Sequence, residues 1–339
     1  MSVTAIGFIG LFFLFLFLVL RMPVAMAMLV VGFVGTWVVN GTVPALTSLS
    51  GEAFEIISFS QLTVVPLFVL MGNLAGVSGM SRDLYNAAYK WIGHFRGGLA
   101  SATIVGCAGF AAMSGSSIAA AVTMGRVALP EMKRFKYSDS LATGSVAAGG
   151  TLGILIPPST GMIIYAILTE QSIGRLFMAG ILPGLLLTGL FLIAIYIVTK
   201  RNPEKGPAGP RATFKERLAS LRAAGTIVSV VLMTIGGIYL GWFTPVEAAG
   251  VGAFMVLVIA LYRKELNWPK AKFVVLQTLR TTATVFMILI GAHVFIPFMA
   301  LTEIPEDLVT FLVGLDVGNL GVLIIILLTY IVLGTFLEG

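Results

Sequence analysis

The chain has 339 residues, of which 58% are hydrophobic and only 11% are charged, and its mean hydropathy is +1.02. A soluble globular domain carries charge on roughly a quarter of its residues. This composition therefore excludes an ordinary water-soluble fold and indicates an integral membrane protein. The 39 glycines and 14 prolines indicate several closely packed, partly broken helices, since both residues are commoner in membrane-spanning helices than in soluble ones.

The net charge of +6 comes from 21 basic and 15 acidic residues. In a soluble chain this excess would suggest a nucleic-acid partner, but membrane proteins collect lysine and arginine on their cytoplasmic loops. We therefore expect a lipid bilayer around the chain and no nucleic acid. The single cysteine, Cys107, excludes an intramolecular disulfide and a multi-cysteine metal site, and we interpret it as a packing residue.

The first apolar run, residues 3–20, is long enough to cross about 30 Å of hydrocarbon. It is not a signal peptide, because no charge precedes it and Arg21 follows it. The further predicted spans, in chain order, are residues 22–39, 61–77, 141–168, 173–199, 223–243, 246–262, 281–301 and 319–337.

The charges between these runs indicate their sidedness. With the N-terminus outside, the segments that face the cytoplasm hold 20 of the 21 basic residues. The outer segments hold one basic and eight acidic residues, Asp316 among them. Since lysine and arginine concentrate on the cytoplasmic side, this asymmetry predicts an outer N-terminus.

The apolar run from residue 97 to residue 129 does not fit a series of helices that each cross the membrane once. Both of its ends are cytoplasmic by the charge pattern, yet its 33 residues are too many for one span and too few for two, which need about 40 and a turn. Met-Ser-Gly-Ser-Ser stands at its midpoint, residues 113–117. The pattern predicts a re-entrant hairpin, two half-helices that meet at a polar tip near mid-membrane and line a cavity. The alternative is a kinked helix pair without a ligand.

A second break is predicted inside the span 141–168. Pro157 and Pro158 remove two backbone donors, and their rings clash with the preceding helical turn. Gly-Gly-Thr precedes the pair and Ser-Thr follows it. The segment therefore reads as a discontinuous helix, of the kind that coordinates ions and anions at its broken ends in secondary transporters.

Two sequence patterns recur at nearly constant offsets. Residues 22–27 recur as 244–249, an offset of 222, and residues 79–84 recur more loosely as 303–308, an offset of 224. The first copies lie on the predicted cytoplasmic side and the second copies lie outside, so the repeat is inverted. We predict a first repeat over residues 1–199, a basic cytoplasmic connector over 200–222, and a second repeat over 223–339.

The repeat offset also predicts which part of the second repeat lies at the end of the sequence. Adding 224 to the hairpin tip at Gly115 gives Gly339, the last residue. The second repeat is therefore expected to be truncated at the tip of a second hairpin, with roughly 80 to 90 further residues in an untruncated protein.

The sequence resembles a known family, the large membrane subunits of tripartite ATP-independent periplasmic (TRAP) transporters, which are called DctM-like. The resemblance covers nearly the whole chain. It rests on VPLFVLMGNLA at residues 65–75, GHFRGGLA at 93–100, MSGSS at 113–117, GTLGILIPPS at 150–159, SIGRLFMAGILPG at 172–184 and GWFTPVEAA at 241–249.

This resemblance implies an all-α polytopic fold of the inverted-repeat elevator type, with a re-entrant hairpin and discontinuous helices. It further implies sodium-coupled import of small organic acids, such as dicarboxylates or sialic acids, across a bacterial inner membrane. The outer N-terminus that the charges predict would then be periplasmic. The implied partners are a small four-helix membrane subunit and a periplasmic substrate-binding protein. No cofactor is expected, only Na⁺ as the coupling ion.

We expect the sodium site where the hairpin tip meets the broken helix, because a hard cation prefers oxygen ligands. The candidate residues, some through hydroxyls and others through carbonyls, are Ser114, Gly115, Ser116, Ser117, Gly150, Thr151, Gly153 and Ile156. Helix N-termini and nearby polar side chains would receive an anionic substrate. The candidates for that role are Ser117, Ser159, Thr160 and Asn73.

Other classes of protein fit the sequence less well. An enzyme would need a nucleophile with a base, or a metal cluster, but the sequence holds only two distant histidines and no phosphate-binding glycine loop. A passive channel does not explain inverted repeats with broken helices. The alternative within transporters is a stand-alone sodium-coupled symporter for divalent anions, with a similar architecture.

Overall fold

The computed structural model describes residues 2–314 and 318–336, and within these ranges the chain is built of helices with no strand. The helices are α1 Val3–Val19, α2 Val24–Asn40, α3 Thr42–Ser58, α4 Val64–Val77, α5 Met80–Ile92, α6 Gly98–Ser114, α7 Ser117–Arg134, α8 Asp139–Leu155, α9 Thr160–Leu168, α10 Ile173–Arg201, α11 Phe214–Val231, α12 Gly237–Tyr239, α13 Pro245–Tyr262, α14 Trp268–Leu301, α15 Ile304–Gly314 and α16 Gly318–Phe336.

Six helical segments in the described part of the chain are long and apolar enough to cross a membrane: Ser60–Val77, Asp139–Leu168, Ile173–Arg201, Phe214–Tyr239, Pro245–Tyr262 and Trp268–Leu301. Large apolar side chains on α10 are exposed, among them Leu182, Leu185 and Leu186. Such a face suits contact with lipid tails. The prediction of an all-α polytopic membrane fold is confirmed.

Several helices differ from the hydropathy pattern. The segment after residue 39, predicted to lie outside, contains α3, and the segment after residue 78, predicted to be cytoplasmic, contains α5. The long helix α14 begins at Trp268, well before the predicted span at residue 281, and α11 begins at Phe214, inside the predicted connector. Hydropathy detects apolar runs, whereas these segments carry polar faces and good helix-forming lysine, arginine and glutamate residues. The predictions at Asp316, Leu337 and Gly339 lie outside the described residues.

The chain divides into two compact units. The first unit contains residues 1–62 and 283–339, and it is held together by glycines that admit close helix approach. A Cβ on Gly32 of α2 would lie 2.6 Å from the Val294 carbonyl oxygen of α14. Small residues at such crossings strengthen the van der Waals packing that associates helices in membranes.

The second unit contains residues 63–282. Its centre is a helical hairpin, α6 and α7, which packs on α8. The helix α4 lies between α6 and α13, and α11 packs on α5. An ion pair of 2.5 Å between Arg263 and Asp83 links the end of α13 to the first turn of α5.

The connector after α10 is attached to both bases of the hairpin. The backbone amide of Gly97 donates to the Gly206 carbonyl at 2.8 Å, next to the start of α6. The Tyr137 hydroxyl, beyond the end of α7, donates to the Pro207 carbonyl at 2.9 Å and accepts from the Leu99 amide at 3.2 Å. Burial raises the pKa of Tyr137 to about 12, so this hydroxyl remains a donor at neutral pH.

Local backbone features accompany the proposed repeat. Gly79 precedes α5 with a φ of +76°, and Glu303, which stands 224 residues later, precedes α15 with a φ of +60°. Positive φ at a residue other than glycine is uncommon. The compact units are not the two repeat halves, and the inverted repeat itself stays a prediction.

Gly32→Ala should destabilise the first unit by about 1–3 kcal/mol, because the new methyl group cannot fit against backbone without shifting α2. Thermal unfolding in detergent checks this. Gly189→Ala in α10 is the matched control, since nothing lies within 4 Å of its Cβ position. Equal unfolding temperatures for the two variants would contradict the close approach.

Candidate functional site

The hairpin tip is a single turn between two helices. The helix α6 ends at Ser114, Gly115 follows with a φ of +59°, and extended Ser116 caps α7. The Ser116 hydroxyl accepts from the Ala119 amide at 3.3 Å. Glycine supplies the left-handed turn without a steric cost, and serine satisfies one free amide of the new helix. At 1.5 Å per residue each arm of the hairpin is about 25 Å long.

The helix break lies where the two prolines stand. The helix α8 ends at Leu155, and α9 begins at Thr160. Neither Pro157 nor Pro158 has an amide to donate, so the helical ladder stops there. Ser159 is fully buried and caps α9 by accepting from the Met162 amide at 3.4 Å.

The hairpin tip and the helix break are joined by hydrogen bonds. The Gly115 carbonyl accepts from the Thr160 amide at 3.2 Å and from the Thr160 hydroxyl at 2.9 Å. A Cβ on Gly115 would lie 2.6 Å from the Pro158 carbonyl oxygen. Only glycine fits this position, because both the backbone conformation and the space exclude a side chain.

Glycines on two other helices bring backbone against the tip. A Cβ on Gly153 of α8 would lie 2.5 Å from the Ser116 carbonyl oxygen, and one on Gly150 would lie 3.2 Å from that of Ser117. On the other side, a Cβ on Gly72 of α4 would lie 2.6 Å from the Ser114 Cα. The tip is therefore held between α4 and α8 by close backbone contact.

This arrangement gathers four helix ends. The C-terminal ends of α6 and α8 present free carbonyls, and the N-terminal ends of α7 and α9 present free amides. Each end carries roughly half an elementary charge, negative at a C-terminus and positive at an N-terminus. The same small region can therefore favour a cation at one pair of ends and an anion at the other pair.

One buried hydroxyl at the tip has no hydrogen-bond partner in the part of the chain that the structure describes. Ser114 is 5% exposed, and its hydroxyl oxygen is buried without a hydrogen bond to any described residue. An unsatisfied buried hydroxyl costs about 1–3 kcal/mol. A hydroxyl at the C-terminal end of α6 is a suitable ligand for a hard cation.

The structure brings most of the predicted site residues together but gives several of them other tasks. The Gly115 carbonyl is occupied by Thr160, so it braces the tip. Thr151 is exposed, and its hydroxyl donates to the Ala148 carbonyl one turn back at 2.6 Å. Ile156 is half-buried and lies against Gly184 of α10.

Asn73, a predicted substrate ligand, makes a hydrogen bond between two helices. Its side-chain amide donates to the Thr278 hydroxyl at 3.0 Å, linking α4 to α14. The adjacent Gly72 is the α4 residue that contacts the tip. Sequence reasoning missed Gly72, and the only signal for it was its place beside Asn73 in a glycine-containing apolar span.

The fold and the paired chain breaks define a class of protein, a polytopic all-α transport protein of the membrane. The family "Tripartite ATP-independent periplasmic transporter, DctM component" matches residues 11–339. The chain belongs to this family.

Named relatives agree with this family. The C4-dicarboxylate TRAP transporter large permease protein of Pseudomonas aeruginosa is 36% identical over 87% of this chain and 69% of its own length. The isethionate TRAP transporter permease protein of Oleidesulfovibrio alaskensis is 34% identical over 96% of this chain and 51% of its own length. The sialic acid TRAP transporter large permease protein of Vibrio cholerae is 31% identical over 98% of this chain and 76% of its own length. These relatives are transporter permeases, so the protein is not an enzyme.

Gly153→Ala should displace the hairpin tip, because its methyl group would overlap the Ser116 carbonyl. We expect a loss of about 1–3 kcal/mol in stability and a marked loss of transport in the complete transporter. Gly144→Ala on the same helix is the control, since nothing lies within 4 Å of its Cβ position. Thermal unfolding and uptake by both variants check this, and an unimpaired Gly153→Ala transporter would refute the contact.

Proposed function

We propose that the chain is the permease subunit of a sodium-coupled, binding-protein-dependent importer of small organic acids, such as dicarboxylates or sialic acids. The observation that carries this proposal is the buried, unpartnered Ser114 hydroxyl at the meeting point of four helix ends. Membership of the family makes transport the context in which that site acts.

The partners and the substrate class are inferred from relatives. Those relatives are named for C4-dicarboxylate, isethionate and sialic acid transport, and all three are small organic anions. The family is named for a tripartite periplasmic transporter, and on that ground we assign the chain a small four-helix membrane subunit and a periplasmic substrate-binding protein as partners. The location is the inner membrane, and the charge asymmetry supports a periplasmic N-terminus.

The coupling ion is assigned to the side of the tip where α6 and α8 end. Ser114 supplies a hydroxyl, Ser116 and Ser117 lie beside it, and α8 contributes backbone carbonyls near Ile156. Sodium fits because oxygen ligands and the negative ends of two helix dipoles both favour a hard cation. Gly150 and Gly153 contribute by allowing α8 to approach the tip.

The substrate anion is assigned to the opposite pair of helix ends. Ser117, Ser159 and Thr160 stand at the N-termini of α7 and α9, where helix amides that are not capped can donate to the anion. The Thr160 amide and hydroxyl are already bonded to the Gly115 carbonyl, so Thr160 acts mainly by holding the two N-termini together. A bound sodium ion would add positive charge next to these amides. Because the anion gains from the sodium charge and sodium gains from the anion, the two ligands bind cooperatively.

Transport follows from moving this site across the bilayer. The hairpin and the broken helix form one hydrogen-bonded element, so they can travel together as the mobile part of an elevator. Without sodium the Ser114 hydroxyl and the clustered carbonyls stay unsatisfied, which disfavours movement through hydrocarbon. The rival assignment, a stand-alone divalent-anion symporter, has no support from the family match.

The Ser114→Ala variant tests whether Ser114 binds an ion or only stabilises the fold. Because its hydroxyl bonds to no described residue, the variant should unfold in sodium-free buffer at the wild-type temperature or slightly above it. Sodium should raise the unfolding temperature of the wild type through binding to the folded state and should stabilise the variant much less. Thermal unfolding in NaCl and in KCl of equal ionic strength measures both effects.

Ser145→Ala is the matched control for this prediction. Ser145 is also a buried serine of the second unit, but its hydroxyl donates to the Ala142 carbonyl of its own helix at 2.9 Å. This variant should keep the full sodium response. Identical sodium responses of Ser114→Ala and wild type would show that Ser114 does not ligate sodium.

Uptake tests the function as a whole. The complete transporter in proteoliposomes, supplied with its binding protein, should accumulate its organic acid only with an inward sodium gradient. Ser114→Ala combined with Ser116→Ala should weaken that sodium dependence. Uptake at the full rate without sodium would contradict the coupling.

A further inference from the structure

A second candidate site lies in the second unit, away from the tip. A cavity of about 510 Å³ opens between α4, α5, α7 and the start of α14. Its lining includes the three basic side chains Arg82, Arg126 and Lys270, one acidic side chain, Glu265, and the hydroxyl residues Ser81 and Thr123. Its charged residues all belong to segments predicted to face the cytoplasm.

The charges in this cavity do not cancel. Glu265 is held by Lys270, whose ammonium donates to its carboxylate at 2.8 Å. The hydrogen bond and the charge of Lys270, with smaller contributions from Arg82 and Arg263, hold the pKa of Glu265 below its usual value. In the described chain, no carboxylate lies within 4 Å of the guanidinium of Arg82 or Arg126. Two guanidinium groups therefore remain available to an anion.

The cavity adjoins the hairpin tip along two helices. On α4, Gly72 contacts the tip, and Gly76, one turn further, lines the cavity. On α7, Thr123 and Arg126 lie about 9 and 13 Å beyond Ser117 at 1.5 Å per residue. A Cβ on Gly76 would lie 3.8 Å from the Thr123 hydroxyl oxygen, so the two helices are in contact between the tip and the arginines.

We propose that Arg82 and Arg126 form an inner anion site, which receives the carboxylate of the transported acid after it leaves the hairpin tip on the cytoplasmic side. This assignment rests on the proposed function, whereas binding of a carboxylate anion by the cavity does not. Its chemistry is that of guanidinium groups and hydroxyls, which also suits a lipid phosphate. Sodium has no part in it, because the cavity already carries a net positive charge.

The pattern of basic residues on cytoplasmic segments explains why arginines occur on this side. It does not require two of them to line one cavity that begins one helical turn from the tip. Arg134 shows how an arginine outside the cavity differs from Arg82 and Arg126. It lies on α7 as well, but its side chain is 76% exposed, it pairs with Glu131 at 3.9 Å, and it does not line the cavity.

The test is binding of succinate, as a dicarboxylate probe, to the complete transporter in nanodiscs of zwitterionic lipid. Saturation-transfer NMR in sodium-free potassium buffer gives the dissociation constant. R82Q combined with R126Q should weaken binding about tenfold or more, because two charge-assisted contacts are lost. R134Q should stay within about twofold of the wild type.

Three results would overturn the proposal. The first is equal succinate affinity of the wild type and the R82Q/R126Q variant, and the second is the absence of succinate binding to both. The third is binding of phosphatidylglycerol that depends on both arginines and displaces succinate in mixed-lipid nanodiscs, because the cavity would then bind lipid headgroups.

Transport distinguishes a failure of this site from a failure of the proposed function. In proteoliposomes loaded with succinate, the internal concentration that halves the initial uptake rate should rise several-fold in the R82Q/R126Q variant, while the external KM stays within about twofold. If the wild type shows no sodium-driven uptake but binds succinate through the arginines, the proposed function fails and the anion site stands.

Discussion

Two hydrogen bonds from Thr160 to the Gly115 carbonyl connect the hairpin tip to the helix break. Each of these features alone would leave backbone groups without partners inside a membrane, where every unsatisfied group costs several kcal/mol. When the tip and the break meet, some of these backbone groups become hydrogen-bond partners of each other. The rest of the second unit is arranged around this junction, with α4 on one side of the tip and α8 on the other.

The junction requires glycine at several positions, and it leaves a buried hydroxyl group of the described chain without a hydrogen bond. Gly72, Gly115 and Gly153 are the positions at which a methyl group would strike backbone, so the chain there is fixed by close approach rather than by large side chains. Among the described residues, the Ser114 hydroxyl is a buried polar group at this junction that the packing leaves without a hydrogen bond. The coupling ion that we propose would satisfy this hydroxyl when bound, and its absence would leave the hydroxyl unsatisfied during movement through the membrane.

Much of this architecture could be predicted from the sequence, because its signals are local. A polar Ser-Gly-Ser-Ser segment inside an apolar run, and a Pro-Pro pair inside a span, locate the tip and the break. The start of α11 had a readable signal as well, since Thr213 and Glu216 form a capping box. The helices α3 and α5 were missed because hydropathy detects apolar runs and not amphipathic ones.

Partners across the tertiary structure could not be read in this way. Neighbouring helical residues point about 100° apart, so Thr151 cannot share the face on which Gly150 and Gly153 meet the tip, and its hydroxyl bonds within its own helix. The Gly115 carbonyl, a predicted ion ligand, accepts a hydrogen bond from Thr160, which stands 45 residues away in the sequence. The cavity at Arg82 and Arg126 likewise depends on α4, α7 and α14 coming together.

The most direct test of the central claim is hydrogen–deuterium exchange of the complete transporter, in NaCl and in KCl of equal ionic strength. If sodium binds where the four helix ends meet, it should slow exchange in peptides covering residues 112–119 and 156–162 together, and leave connector residues 203–213 unchanged. Exchange that is the same in both salts, or protection of only one of the two breaks, would contradict a shared ion site at this junction.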